Sequence, residues 1–173
     1  MQLAYVMTET RGTTDRLLTL FSQQLIGRGC LLAGVAQTNT ECADSTLCDM
    51  DVQVLPDGPM IRISQSLGTG AKGCRLDPAA LEQAVALVSV SLERGPQLLL
   101  VNKFGKHEAE GRGFRPVIGE ALMRGIPVLA GVNTLNHAAF VEFTQGIGQR
   151  LEAEPEPLEA WFNSLAQNES AVA

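Results

Sequence analysis

No apolar run in these 173 residues approaches the roughly 20 that a bilayer-spanning helix needs, so no transmembrane helix is expected. Positive charge is scarce as well. Thirteen lysines and arginines stand against 19 aspartates and glutamates, for a net charge of −6. Nucleic acid and anionic membranes call for the opposite balance, so neither is an expected partner. Met1-Gln2-Leu3-Ala4-Tyr5 lacks the basic start of a secretory leader, and a cytoplasmic location is expected. The four cysteines, Cys30, Cys42, Cys48 and Cys74, form no C-x-x-C pair, and no histidine lies near Cys42 and Cys48 to complete a zinc site. They are expected as reduced thiols. With no repeat and no dividing linker, residues 1–173 read as one domain.

What is present is an alternation of short apolar runs and helical periodicity. Leu3 to Met7 suits a central strand, and Thr14-Asp15 offers a cap for a helix whose apolar face carries Leu17, Leu18, Phe21, Leu25 and Ile26. Leu31 to Ala36 is a second strand. Gln37 to Asp49 is polar and reads as irregular. Val52 to Leu55 and Met60 to Ile63, separated by Pro56-Asp57-Gly58-Pro59, predict a hairpin. A glycine-rich loop, Gly68 to Arg75, precedes a helix capped by Asp77 with Pro78 at its first position. Leu98 to Val101 is a buried strand followed by a polar loop to Gly113. Phe114 to Met123 is a helix, Ile126 to Val132 a strand, Asn136 to Leu151 a helix, and Pro155 opens a last short helix with Trp161 and Phe162. This order predicts an α/β protein of three layers, a mostly parallel sheet with helices on both faces and a β-hairpin insertion.

Open sheets of this kind place ligands at the carboxyl ends of their strands, and four segments carry suitable chemistry. The turn after the first strand, Thr8 to Asp15, has the position of a phosphate-binding G-x-x-x-x-G-K-[ST] loop, but only one glycine. Thr13 stands where the lysine belongs and Thr14 where the hydroxyl belongs, which makes Thr10, Arg11, Gly12, Thr13 and Thr14 candidate ligand contacts. An ordinary strand-to-helix turn is the competing reading. Gly68 to Arg75, with Ser66, Thr69 and Lys72, is a second anion candidate, opposed by the negative Asp77 cap. The third is Asn102 to Arg115, where Asn102, Lys103, Gly105, Lys106, Arg112 and Arg115 supply donors and His107 with Glu108 a possible acid–base pair. Adjacent residues rarely aim at one ion, so no metal site is expected. The fourth is Asn133-Thr134-Leu135-Asn136-His137, at the same sheet edge.

Two stretches carry a resemblance. Cys74-Arg-Leu-Asp-Pro-Ala-Ala-Leu-Glu, then a helix, then Leu-Leu-Leu-Val-Asn-Lys-Phe-Gly-Lys-His-Glu, is similar to the middle of the P-loop nucleoside triphosphatases first described from thermophiles, where the strand ends Asp-Glu-Ile-Gly-Lys-Met-Glu. Phe114-Arg-Pro-Val-Ile-Gly-Glu-Ala-Leu and Gly-Ile-Pro-Val-Leu-Ala-Gly-Val resemble that family's next helix and strand. The resemblance implies a P-loop-like fold. It aligns Asn102 with the acid near magnesium, Lys103 with the catalytic glutamate and Thr13 with the loop lysine, while Gly105, Lys106 and Glu108 match. Closer still, Val-Asn-Lys-Phe-Gly-Lys-His-Glu-Ala-Glu-Gly-Arg-Gly-Phe-Arg resembles an uncharacterised bacterial domain family often encoded beside molybdate-transport genes, which implies an accessory role in molybdenum metabolism.

Loss of both the lysine and the acid removes the charges on which phosphoryl transfer depends, and argues against bound magnesium. The expected function is a degenerate P-loop-like protein binding a small anionic ligand: a nucleotide, a phosphorylated metabolite or an oxyanion such as molybdate. Lys103, Lys106, Arg112 and Arg115 would supply the charge. The alternatives are a nucleoside triphosphatase or nucleotide transferase with a non-standard site, and a pure interaction module. A homo-oligomer is left open.

Overall fold

The computed structural model describes residues 2–10, 12–41, 48–65 and 75–170. The chain runs β1 (Leu3–Val6), α1 (Thr13–Gly27), β2 (Leu32–Glu41), β3 (Cys48–Val54), β4 (Met60–Arg62), α2 (Pro78–Ser91), β5 (Leu98–Phe104), α3 (Lys106–Ala109), α4 (Arg115–Met123), β6 (Val128–Val132), α5 (His137–Phe143), β7 (Gln149–Leu151) and α6 (Pro155–Ser170). The strands make one sheet in the order β4-β3-β2-β5-β6-β1-β7. Its β2-β5-β6-β1-β7 portion is parallel, and β3 and β4 add an antiparallel arm. The expected mixed α/β architecture is therefore observed.

The three layers follow from the period-two alternation of strand side chains. Leu3, Tyr5, Leu99, Val101, Val128 and Ala130 face one side, packed with Leu81 and Val88 of α2, Val117 and Ile118 of α4 and Phe140 of α5. Ala4, Val6, Leu98, Leu100 and Leu129 face the other, against Leu18, Phe21 and Leu25 of α1 and Leu158 and Trp161 of α6. Strands buried on both faces need continuous apolar runs, and Leu98 to Val101 is one. Gly34 marks the tightest approach in the sheet. Its φ is +114°, and a Cβ there would lie 1.8 Å from the carbonyl oxygen of Leu100.

Several expected boundaries move. Gln37 to Glu41 is not irregular: β2 continues through it, paired antiparallel with β3 from Val35↔Val54 out to Glu41↔Cys48. Polar side chains along both strands hide the alternation that marks a strand. Residues 42–47 lie outside the described residues, as does the glycine loop 66–74. The polar stretch after Val101 is also partly ordered, since β5 extends to Phe104 and α3 makes one turn. Asn136 to Leu151 is not one helix. The chain turns at Gln145 (φ 52°) and Gly146 (φ 72°), and Gln149–Leu151 forms β7 beside β1. Asp77 caps α2 as expected, its carboxylate accepting from the Ala79 and Ala80 backbone N–H groups at 2.9 and 3.1 Å. At α1, by contrast, neither Thr14 nor Asp15 caps: the helix begins at Thr13, after Gly12 in the left-handed conformation.

Candidate functional site

The parallel strands β1, β5 and β6 end side by side at Val6, Phe104 and Val132. Two segments border this edge, Met7–Thr10 ahead of α1 and Asn133–Asn136 leading into α5. The ladder between β5 and β6 is regular through Asn102↔Gly131, then jumps to Phe104↔Val132, which takes Lys103 out of register. The Asn102–Lys103 peptide is cis. A Cβ on Gly131 would meet Leu18, Thr14 and Asn102 at 3.0–3.2 Å, so the missing side chain leaves room for Asn102 and Thr14 at this edge.

Asp15 is the centre of the edge. Although charged, it is only 4% exposed. Its Oδ2 receives the Asn39 amide at 2.5 Å and lies 3.5 Å from Lys103 Nζ. With the Asn102 amide turned to match its neighbours, the Asn102 nitrogen donates to Asp15 Oδ1 at 2.9 Å and its oxygen accepts from the Gln37 backbone N–H at 3.3 Å. The Gln37 side chain in turn donates to Asn39 Oδ1 at 2.8 Å. The buried carboxylate is thus held by one cation and two amides, which lets an acid persist away from water.

A cleft of about 410 Å³ opens over this network, lined by Thr8, Glu9, Thr10, Gly12, Thr14, Asp15, Lys103 and the Val132–Leu135 turn. The Thr8 and Thr14 hydroxyls are 2.9 Å apart, and Asn133 Oδ1 accepts from the Asn136 backbone at 2.9 Å. A second cleft of about 470 Å³ shares Gly12 and Asp15 and lies on the β2 side, bounded by Arg16, Thr19, Leu20, Gln23, Gln37, Thr38 and Asn39.

The structure divides the sequence candidates into two groups. Thr10, Gly12, Thr14 and Lys103 line the first cleft, with buried Asn102 behind them. Thr13 is exposed on the first turn of α1 and does not line it, and Arg11 lies outside the described residues. The candidates from Gly105 to Arg115 belong to a separate packed unit and line neither cleft, whereas Asn133, Thr134 and Leu135 of the fourth segment line the first. Glu108 is buried and bridges that unit, accepting from the Gly105 backbone N–H at 2.8 Å and from that of Phe114 at 3.2 Å. Burial raises its pKa above the usual carboxylate range, against the pull of these backbone bonds and of His107. His107, also buried, meets Glu82 Oε1 at 3.0 Å, and the same oxygen accepts from the Gly113 backbone N–H at 3.0 Å. Lys106 and Arg112 both pair with Glu110. The Arg115 guanidinium lies 4.6 Å from the Phe143 ring centre. Of the other candidates, Arg75 pairs with Asp49 at 3.1 Å, well along the antiparallel arm, and His137 meets the Tyr5 hydroxyl at 2.9 Å.

Sequence reasoning missed two residues that line these clefts. Asp15 looked like a helix cap and is instead the buried partner of Lys103. Arg16, one residue on, lines the second cleft and makes no ion pair among the described residues. The available signal was the Asp15-Arg16 pair standing just past the positions where a phosphate loop carries its lysine and hydroxyl.

Comparison with known proteins places these features. A family model described as protein of unknown function (DUF2478) matches residues 3–161. The chain is 36% identical over 167 residues to the molybdenum import ATP-binding protein ModC 2 of Bradyrhizobium diazoefficiens, covering 95% of the chain but 18% of that protein. It therefore spans under a fifth of the curated relative it matches. Among solved structures, the solution structure of a human cancer-related nucleoside triphosphatase superposes over 100% of both chains with a TM-score of 0.63 at 16% identity. That likeness is one of fold.

Proposed function

The chain belongs to the DUF2478 family of proteins of unknown function, and from that premise we propose that it is a P-loop-like binding protein. It holds a small phosphate-bearing or oxyanionic ligand at the strand tips and does not turn it over. The observation that carries this reading is the exchange of charge across the sheet edge. A hydrolase of this fold sets its cation at the start of the first helix and its acid on the neighbouring strand. Here the acid, Asp15, is on α1 and the cation, Lys103, is on β5.

The exchange disfavours magnesium. Its usual oxygen ligands would be the threonine hydroxyl and the strand acid; here Thr14 is bonded to Thr8, and the acid's position is the neutral Asn102 with the Lys103 ammonium next to it. Lys103, about a third exposed, is the built-in cation. It reaches an incoming anion from its place beside Asp15, with the Thr8, Thr10 and Thr14 hydroxyls and the Asn133 amide around it. The relative's name, a molybdenum import ATP-binding protein, supports an oxyanion or a nucleotide as the ligand class.

Calorimetric titration with inorganic phosphate, molybdate, AMP and ATP tests the reading, each with EDTA and with magnesium. At least one of these ligands is expected to bind equally well in both, and Lys103→Ala should weaken that binding tenfold or more. Absence of binding, or magnesium-dependent release of phosphate from ATP, overturns it.

A further inference from the structure

We infer that the second cleft is a subsite for a planar, hydrogen-bonding heterocycle, so that the ligand is a phosphorylated heterocycle and not a bare oxyanion. The inference rests on the binding reading above. It starts from an arrangement that a simple anion does not use. The two clefts meet at Gly12 and Asp15, so one molecule can occupy both. Gly12 is left-handed, and a Cβ built there meets nothing within 4 Å, which leaves its Cα side open.

The walls of the second cleft differ in kind from those of the first. Leu20, 54% exposed, stands at its edge although it is a large aliphatic side chain on the first helix, and the aliphatic stems of Arg16 and Gln23 lie beside it. Around the rest of the cleft are the amides of Gln23, Gln37 and Asn39 and the hydroxyls of Thr19 and Thr38. An amide offers a donor and an acceptor together, as the edge of a lactam-type ring requires. Arg16 has no ion-pair partner among the described residues, and guanidinium stacks on flat rings as well as binding anions. A cleft of several hundred Å³ with convergent polar groups is a usual form of a small-molecule site.

The amides of this cleft are wired to the anion site. Gln37 donates to Asn39, Asn39 to Asp15, and Asp15 holds Lys103. A ring bound against Gln37 and Asn39 therefore rests on the side chains that position the cation for the phosphate. Beyond Thr19, Gln23 and Thr38 the cleft continues into an apolar hollow walled by Ile26, Leu55, Pro56 and Met60, which gives the ring room for a substituent.

Titration with ribose 5-phosphate, AMP and GMP tests the inference, since the three share a phosphate monoester and differ in the ring. At least one nucleotide is expected to bind ten times or more tighter than ribose 5-phosphate. Thr38→Trp, which fills the cleft from an exposed strand position, and Leu20→Ala should each abolish that advantage while ribose 5-phosphate affinity stays the same. Equal affinity for all three ligands overturns the ring subsite and leaves the anion site standing, as does an advantage that survives Thr38→Trp. Failure of all three to bind overturns the binding reading itself, and this inference with it.

Discussion

Lys103 Nζ on β5 lies 3.5 Å from Asp15 Oδ2 on α1, across 88 residues of sequence and directly at the sheet edge. The pair is unequal: the acid is buried, while the lysine side chain keeps about a third of its surface. Asp15 is therefore the fixed member and Lys103 the one free to change partners.

That asymmetry predicts unequal costs. Asp15→Ala leaves the Asn39 and Asn102 amides without their acceptor and should destabilise the fold by about 2–3 kcal/mol. Lys103→Ala should cost less. A double-mutant cycle in urea should give a coupling of about 1 kcal/mol, since one partner is solvated. A coupling near zero would mean that the two charges do not sense each other in solution.

Glu108 predicts a pH dependence. Its pKa is raised in the folded protein because burial outweighs its backbone hydrogen bonds. The folded state then holds the proton more tightly than the unfolded chain does. Between the ordinary carboxylate pKa and the raised one, stability is expected to fall as pH rises. Glu108→Gln removes that component, so its urea midpoint should change less than that of the natural protein between pH 4.5 and pH 8. Parallel curves for the two proteins would contradict the assignment.

His107 offers a test of role. Its ring links α3 to Glu82 of α2 and is 6% exposed. His107→Ala should lower stability by about 1–3 kcal/mol, and ligand affinity measured well below the melting point should stay within twofold. A large loss of affinity in a fully folded variant would instead place this histidine in the binding machinery.

Two glycines should respond very differently to alanine. At Gly34 a methyl group would lie 1.8 Å from the Leu100 carbonyl oxygen, at a φ of +114°. Gly34→Ala should not yield folded, soluble protein. Gly12 is also left-handed but has open space around it. Gly12→Ala should fold and lose only about 1 kcal/mol, as measured by thermal melting.

The apolar strands and the helix starting at Asp77-Pro78 were legible because burial on both faces and capping chemistry are local signals. The strand from Gln37 to Glu41 was not, because its residues are polar and its pairing with Cys48–Val54 is a long-range fact. Three-residue β7 was hidden for a similar reason, being too short for any periodicity. At the site, the missing acid at Asn102 and the missing lysine at Thr13 were readable position by position. That Asp15 and Lys103 pair was not, since they meet only when α1 packs on β5. The contacts that the basic residues after Gly105 make with Glu110 and Phe143 were not readable either, because sequence shows charge without showing what it packs against.

The borders of the sheet carry one more consequence. Its outermost strands, β4 and β7, are three residues each, and each includes an arginine, Arg62 and Arg150. Arg62 is held by Asp49 and Asp51 of the neighbouring strand. Short, charged borders offer little backbone for another chain to template on, so the sheet resists growing into fibres by strand addition. The apolar strands at the middle of the sheet are in this way kept away from the edges at which aggregation would start.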